Sequence, residues 1–429
     1  MLISLVVLVC YFGACHAQQE KYALDVTHYN LTITPEISKG YVQGEVSIHF
    51  SINPKAREIK LNADNLSIKS VTGAYVDTFS KNGNDLLIGL SERNDTENVV
   101  TIAYEGNPKR GLLFNSDRGE AYTVYFTSEW MVCNDQTDDR ASLALNILVP
   151  KGKTCVASGE LTGKEERDHE TLFKWNQHYM TPPYTYGFAI GDFDEVTDHV
   201  GEVKLNYYTS TLDGKTLKKV FEETGAILQF FEEKSGVKYV QNSYSQILMG
   251  NHYQEMSGLS VLRTSYAAAV LKDSSEIHLT SHELAHQWWG NMITCKSLKH
   301  FWLNEAFAVY MASAFNEHRF GVAKYDSDIA LYKGIYDDLL KRGKDKPLIF
   351  SKWIPSRDNR NVVYYKGAYV LHLLREEIGQ EAFWKGIKSY SQQYFGKSVE
   401  TLDFQKSMEA SAGRSLDQFF DQWVYASKN

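Results

Sequence analysis

The stretch Ser281-His282-Glu283-Leu284-Ala285-His286-Gln287-Trp288-Trp289-Gly290-Asn291 constrains this chain more than any other, because it sets two histidines four residues apart with a glutamate after the first. On a helix that spacing stacks both imidazoles on one face, one turn apart, where both reach one metal ion. Zinc suits neutral imidazole, and a catalytic zinc site uses three protein ligands so that a fourth position stays open for water. The third ligand is therefore sought downstream. Trp302-Leu303-Asn304-Glu305-Ala306-Phe307-Ala308 offers it in Glu305, with eighteen residues between it and His286, enough to end one helix at Gly290, turn, and begin a second. Glu283 points near the metal rather than at it, the place of a general base acting on the attacking water. His278 lies a further turn upstream on the same face. Three histidines spread over roughly 12 Å of helix cannot bind one ion, so His278 reads as a polar residue at the surface or behind a ligand.

HELAHQWWGN followed by WLNEAFA resembles the gluzincin zinc metallopeptidases of the aminopeptidase N group, which includes leukotriene A4 hydrolase. That resemblance implies an α+β fold: an N-terminal antiparallel β domain that presents one wall of a cleft, then a thermolysin-like, mostly α-helical zinc catalytic domain. It covers nearly the whole mature chain but only the first two domains of the longer architecture, since the last family-like segment here is Leu416-Asp417-Gln418-Phe419-Phe420-Asp421-Gln422-Trp423-Val424. A site more open to solvent is expected.

With 429 residues, 43% of them apolar and 23% charged, the chain can build two or three domains with full cores. Its net charge of −8 disfavours nucleic acid and anionic membranes, which want a basic surface. The apolar run Leu2 to Ala14 is too short to span a bilayer, and Cys15-His16-Ala17 supplies small residues for cleavage after Ala17. A signal peptide over 1–17 and a secreted protein are expected, with a retained N-terminal anchor as the alternative and no later membrane span. Cys133, Cys155 and Cys295 then remain in the mature chain, an odd number, with Cys133–Cys155 the more plausible bridge. Sequons at Asn30, Asn65 and Asn94 would carry glycans.

From Tyr22 to about Val196 the pattern is strand after strand, as in Tyr29–Ile33, Val42–Phe50, Glu58–Leu61 and Leu143–Val149, where apolar and polar residues alternate between Gly, Asn, Asp and Pro. After Gly201 the period changes. Leu217, Val220, Phe221, Thr224, Ile227, Leu228, Phe230 and Phe231 make a helical core stripe between Leu212 and Gly236, and a strand-like piece spans Tyr244 to Val261. Helices are expected over 324–342, 365–378, 381–394 and 403–412. The domains are therefore drawn at 18–200 and 201–429.

The resemblance also implies roles for residues outside the zinc motif. In Val363-Tyr364-Tyr365-Lys366-Gly367-Ala368, Tyr364 stands where the family has a tyrosine that supports the oxyanion, and Tyr365 is a neighbour without a chemical role. His252-Tyr253-Gln254-Glu255-Met256-Ser257-Gly258-Leu259 aligns with the family's Gly-x-Met-Glu-Asn strand, which makes Glu255 the anchor for a substrate's α-ammonium. The family's glycine and asparagine are missing, which puts strict exopeptidase action in doubt. Trp130-Met131-Val132-Cys133-Asn134-Asp135 replaces Phe-Pro-Cys-x-Asp-Glu-Pro, and an upstream Gln or Glu that contacts the amine is absent, so Glu255 is left alone and weaker N-terminal discrimination is expected. His300 stands where many relatives have Asp, a difference of packing.

These readings converge on a secreted zinc aminopeptidase acting on peptides, with one Zn2+ held by His282, His286 and Glu305, Glu283 and Tyr364 catalytic, and Glu255 binding substrate. The rivals are an endopeptidase of relaxed specificity on the same fold and a secreted binding protein that keeps zinc for structure. The second would need a fourth protein ligand and gives Glu283 no use.

Overall fold

The computed structural model describes residues 24–351 and 354–428, so the expected signal peptide and its cleavage point at Ala17 lie outside the described residues. The alternating segments form three sheets. The largest has seven strands in the order Glu160–Glu166, Glu170–Thr181, Ala141–Pro150, Asp25–Glu36, Tyr41–Ser51, Glu97–Gly106, Leu66–Thr72. Its alternation of buried and half-exposed residues, clearest along Ala141–Pro150, turns one face to the core and the other to water. One pair departs from the antiparallel expectation: Asp25–Glu36 and Ala141–Pro150 run parallel, with Leu31 opposite Leu145. A three-stranded sheet (Glu58–Asn62, Asp85–Leu90, Val76–Asn82) and a four-stranded one (Thr154–Ala157, Phe188–Gly191, Glu120–Thr123, Leu112–Asn115) complete this half.

Cys133, Cys155 and Cys295 are all free and buried, which corrects the expected Cys133–Cys155 bridge. Each of that pair is fixed elsewhere. The Cys133 backbone exchanges two hydrogen bonds with Asn62, while Cys155 lies in a strand opposite Ile190. Asn30, Asn65 and Asn94 are exposed.

A five-stranded sheet follows in the order Asp194–Val200, Val203–Thr209, Ser243–Leu248, Leu259–Leu262, Gln254–Met256, so the segment carrying Glu255 is an edge strand. The stripe from Leu212 to Gly236 is two helices rather than one, Gly214–Val220 and Thr224–Ser235. Phe221 leaves the helix between them to stack on Tyr207 at 5.1 Å, and the Thr224 hydroxyl donates to Gln246 Oε1. The remaining chain is mostly helical, with the expected elements at Val322–Lys341, Gly367–Ile378, Gln380–Tyr394 and Thr401–Ala412, plus a short parallel pair, Ile293–Cys295 with Lys397–Val399. Trp288, Trp289, Trp302, Phe307, Tyr390 and Phe404 interlock in its core, and each such buried ring contributes about 1.5–3 kcal/mol. Among the described residues, no helix is long and apolar enough to cross a membrane.

Candidate active site

The histidine helix, His278–Ala285, ends earlier than Gly290, with His286 already at its C-cap. Side-chain demands explain the early end. Gln287 turns away to accept from Gly258 N–H and donate to the Met256 carbonyl, at 2.8 and 2.9 Å, and Trp288 donates to the Val237 carbonyl at 2.9 Å. The backbone tightens into three-residue turns at Gln287 and Trp288. A bend at Gly290, φ +142°, then leads to the second helix, Trp302–Phe320, whose first turn carries Glu305.

His282 Nε2 and His286 Nε2 lie 3.1 Å apart, and Glu305 Oε2 is 3.6 and 3.5 Å from them. A circle through these three atoms has a radius of about 2.0 Å, against zinc–ligand bonds of about 2.0–2.2 Å. His286 Nδ1 gives its proton to the Trp289 carbonyl at 3.0 Å, which leaves Nε2 with a free lone pair. Glu305 Oε1 and Glu283 Oε2 are buried without hydrogen-bond partners among the described residues. Facing lone pairs and orphaned carboxylate oxygens call for a cation, and two imidazoles with one carboxylate are zinc's donor set. The residues fit the ion.

The electrostatics agree. Burial pushes the Glu283 and Glu255 carboxyls up; Glu255 raises Glu283 further, and Glu305 raises both. Burial alone would lower His286 and raise Glu305, but their mutual attraction outweighs it, lifting the imidazole and depressing the acid, so without an ion Nε2 carries a proton that a metal cation would displace. A pocket with three enclosed carboxylates is built around positive charge.

Tyr364 sits in a π-helical turn, Val362–Lys366, with its ring stacked on His282 at 6.1 Å between centroids. Burial first, and then the nearby Glu305, hold its phenol well above the ordinary range, so it stays a proton donor. The turn is anchored from behind. Lys366 Nζ, fully enclosed, donates to Asp345 Oδ1 at 2.7 Å, and Gly367 lets this segment close on Ala306, where a Cβ would come within 2.5 Å. Tyr365 packs on Tyr332.

Glu255 pairs with Ser260 on one side, and among the described residues no strand pairs with its other edge. The β domain seals this strand from below. Ser257 N–H donates to the Thr185 carbonyl at 2.8 Å, and Gly187 leaves room for Met256. Glu255, Glu283 and His286 each offer an atom within 4.8 Å of the others.

All six residues singled out in the sequence therefore gather in one cleft. His278 is half-buried behind the ligands, with its ring 6.5 Å from His282 and 6.4 Å from Tyr332. His300 accepts from Thr401, tying the Glu305 helix to the C-terminal helices. Sequence reasoning missed four residues of the frame. Arg140 of the β domain is a buried guanidinium that donates to Thr294 Oγ1 and to the carbonyls of Asn291, Met292 and Met180. Tyr184 donates to the Gly290 carbonyl at 2.8 Å and accepts from Asn304. Asn291 reaches the Glu255 carbonyl at 3.3 Å. Tyr125, also from the β domain, lies against Glu255. Only Asn291, five residues past His286, carried a local signal.

The sequence profile of the peptidase family M1 domain matches residues 220–423, and that of the M1 N-terminal domain matches residues 25–185. "Probable aminopeptidase 1" of Saccharolobus solfataricus is 24% identical over 407 residues, covering 87% of this chain and 50% of that protein. "Leucine aminopeptidase 2" of Aspergillus terreus is 25% identical, covering 96% of this chain and 66% of its own length. The chain thus spans about half the length of the archaeal relatives. The crystal structure of an M1 zinc metallopeptidase from Deinococcus radiodurans superposes with a TM-score of 0.81 at 22% identity, covering 94% of both chains, and a variant of it bound to a Tyr-Ser-Ala substrate gives 0.80.

Proposed function

Because this chain belongs to peptidase family M1, we propose that it is a zinc aminopeptidase that removes residues one at a time from the free N-termini of peptides. One observation carries the exopeptidase half of this reading: the Glu255 carboxylate lies within 4.8 Å of Glu283 and His286 atoms. An α-ammonium held by Glu255 is then a single residue's reach from the carbonyl under attack, which suits an N-terminal residue and leaves little room for a chain preceding it.

His282, His286 and Glu305 would hold zinc, which when bound supplies a Lewis acid and lowers the pKa of water toward neutrality. Glu283 takes a proton from the attacking water and later passes it to the leaving amine. The Tyr364 hydroxyl donates to the oxygen that gains charge as the carbonyl becomes tetrahedral. The edge strand that carries Glu255 has no strand partner on its outer side among the described residues, so an extended peptide can run alongside it. Arg140 and Tyr184 keep the Gly290–Thr294 bend in place, and with it the spacing of the ligands.

Secretion belongs to the same proposal, supported by the apolar run Leu2 to Ala14 and the exposed sequons at Asn30, Asn65 and Asn94, which would carry glycans. Purified protein is expected to cleave aminoacyl arylamides, and Glu255→Ala to raise KM for free-amine substrates far more than for N-blocked ones. Cleavage of N-blocked peptides alone would favour the endopeptidase; equal effects of Glu255→Ala on both substrates would remove its role.

A further inference from the structure

Tyr125 is held in a conformation that its side chain opposes. Its φ is +36°, one of two positive values among the described non-glycine residues, and Phe126 N–H turns back onto the Val124 carbonyl in a γ-turn. For a bulky aromatic residue this backbone is strained. Such strain persists only where the surroundings fix it. Glu129, with its side chain fully buried, does so by accepting from the backbone N–H groups of Lys109, Arg110 and Gly111 and from Arg110 Nε. The Gly111 carbonyl in turn accepts from Val124 N–H at 2.9 Å.

The strained turn aims Tyr125 across the strand that presents Glu255. Its backbone N–H donates to Gln254 Oε1 at 2.8 Å and its hydroxyl to the Tyr253 carbonyl at 3.2 Å, so both ends of the residue are pinned to the two positions just before Glu255. The residue is 37% exposed, and its hydroxyl is pinned over the strand that carries Glu255. The ring therefore stands as a wall between the amine site and solvent.

We infer that Tyr125 is the stop that confines this site to free N-termini: its ring occupies the space into which any group attached to the substrate's α-nitrogen would have to extend. The inference rests on Glu255 receiving that nitrogen. It also reverses the expectation that the altered β-domain segment weakens N-terminal discrimination, since exclusion by a ring does what a second polar contact was expected to do. Positive design attracts the ammonium at Glu255, and a steric bar rejects its acylated counterpart.

The test compares leucyl and N-acetyl-leucyl arylamides with the full zinc-loaded protein. Glycine takes φ +36° without strain, so Tyr125→Gly keeps the turn while removing the ring. It is expected to raise the ratio of N-acetyl to free-amine kcat/KM by about tenfold or more, the scale of losing one steric element in a pocket. Tyr125→Phe keeps the ring and should hold the wild-type ratio within about threefold. Where the glycine variant does not fold, Tyr125→Asn, the other residue type at ease with positive φ, carries the same expectation. A glycine variant as selective as wild type overturns the stop alone. A phenylalanine variant as permissive as glycine also overturns it, by moving discrimination to the hydroxyl. Wild-type protein that cleaves neither substrate overturns the aminopeptidase reading, and the stop falls with it.

Discussion

Gly290 is the residue at which backbone conformation and metal affinity meet. It adopts φ +142°, and a Cβ there would stand 2.7 Å from His286 Nδ1 and 3.4 Å from its Cγ. Ordinary van der Waals contact starts at 3.4 Å, so Gly290→Ala drives the imidazole back by about 0.7 Å or tilts it. The same nitrogen donates to the Trp289 carbonyl at 3.0 Å, so the displacement also breaks the bond that fixes the tautomer. At the other end of the ring, Nε2 leaves a triangle whose edges are 3.1, 3.5 and 3.6 Å. Losing the partner that orients a metal-bound histidine typically costs 10–100-fold in affinity, about 1.4–2.8 kcal/mol. Zinc affinity measured by competition with a chromophoric chelator should weaken by that factor. Gly321→Ala is the control, because Gly321 also has positive φ, +89°, but nothing lies within 4 Å of its Cβ position. It should cost about 1–3 kcal/mol of stability through strain while leaving zinc affinity alone. Folded Gly290→Ala protein that binds zinc as tightly as wild type would refute the reasoning.

Glu283→Gln should keep zinc at full occupancy yet lower kcat by about 10²–10⁴-fold, the range for a lost general base; an active variant would reassign the base. Lys366→Met takes the ammonium from Asp345, which keeps the hydrogen bond it accepts from Lys428 N–H, at a cost of up to about 3–5 kcal/mol in chemical denaturation, and should lower kcat as the turn carrying Tyr364 loosens. Lys366→Met protein with wild-type stability and kcat would dissociate that pair from Tyr364. Burial pushes Asp139 up to about 7 from 3.8, against the hydrogen bonds it accepts from Val26 N–H and Asn134. The folded state thus holds that proton more tightly than the unfolded state, so the contribution is full below about pH 4 and is lost as pH rises through 7. Asp139→Asn removes this dependence, and its stability relative to wild type should improve from pH 4 to pH 8 by up to about 4 kcal/mol in urea unfolding. A gap that does not change with pH would contradict the assignment.

The candidate zinc ligands are legible in the sequence because their geometry is local. His282 and His286 share one helical face, and Glu305 opens the next helix. Alternation exposed the strands of the β domain for the same reason. What escaped depends on contacts between distant residues. The histidine helix ends at Ala285 because Gln287 and Trp288 are claimed by Gly258, Met256 and Val237, which no short-range pattern records. Arg140 and Tyr184 reach the Gly290–Thr294 bend across more than a hundred residues. Tyr125 escaped for a further reason: an aromatic residue at positive φ violates local preference, and only the fixed loop around Glu129 makes it tenable. The expected cysteine bridge failed because the two thiols lie on separately paired segments of one core.

In the proposed reading, two imidazoles and one carboxylate form a three-ligand zinc site that hydrolyses N-terminal peptide bonds. Titrating zinc into chelator-stripped protein, while following both bound metal and hydrolysis of a leucyl arylamide, tests it most directly. Activity should rise linearly and level at one equivalent of zinc per chain. Full binding of that equivalent with no turnover, or activity that ignores the metal, would contradict the account.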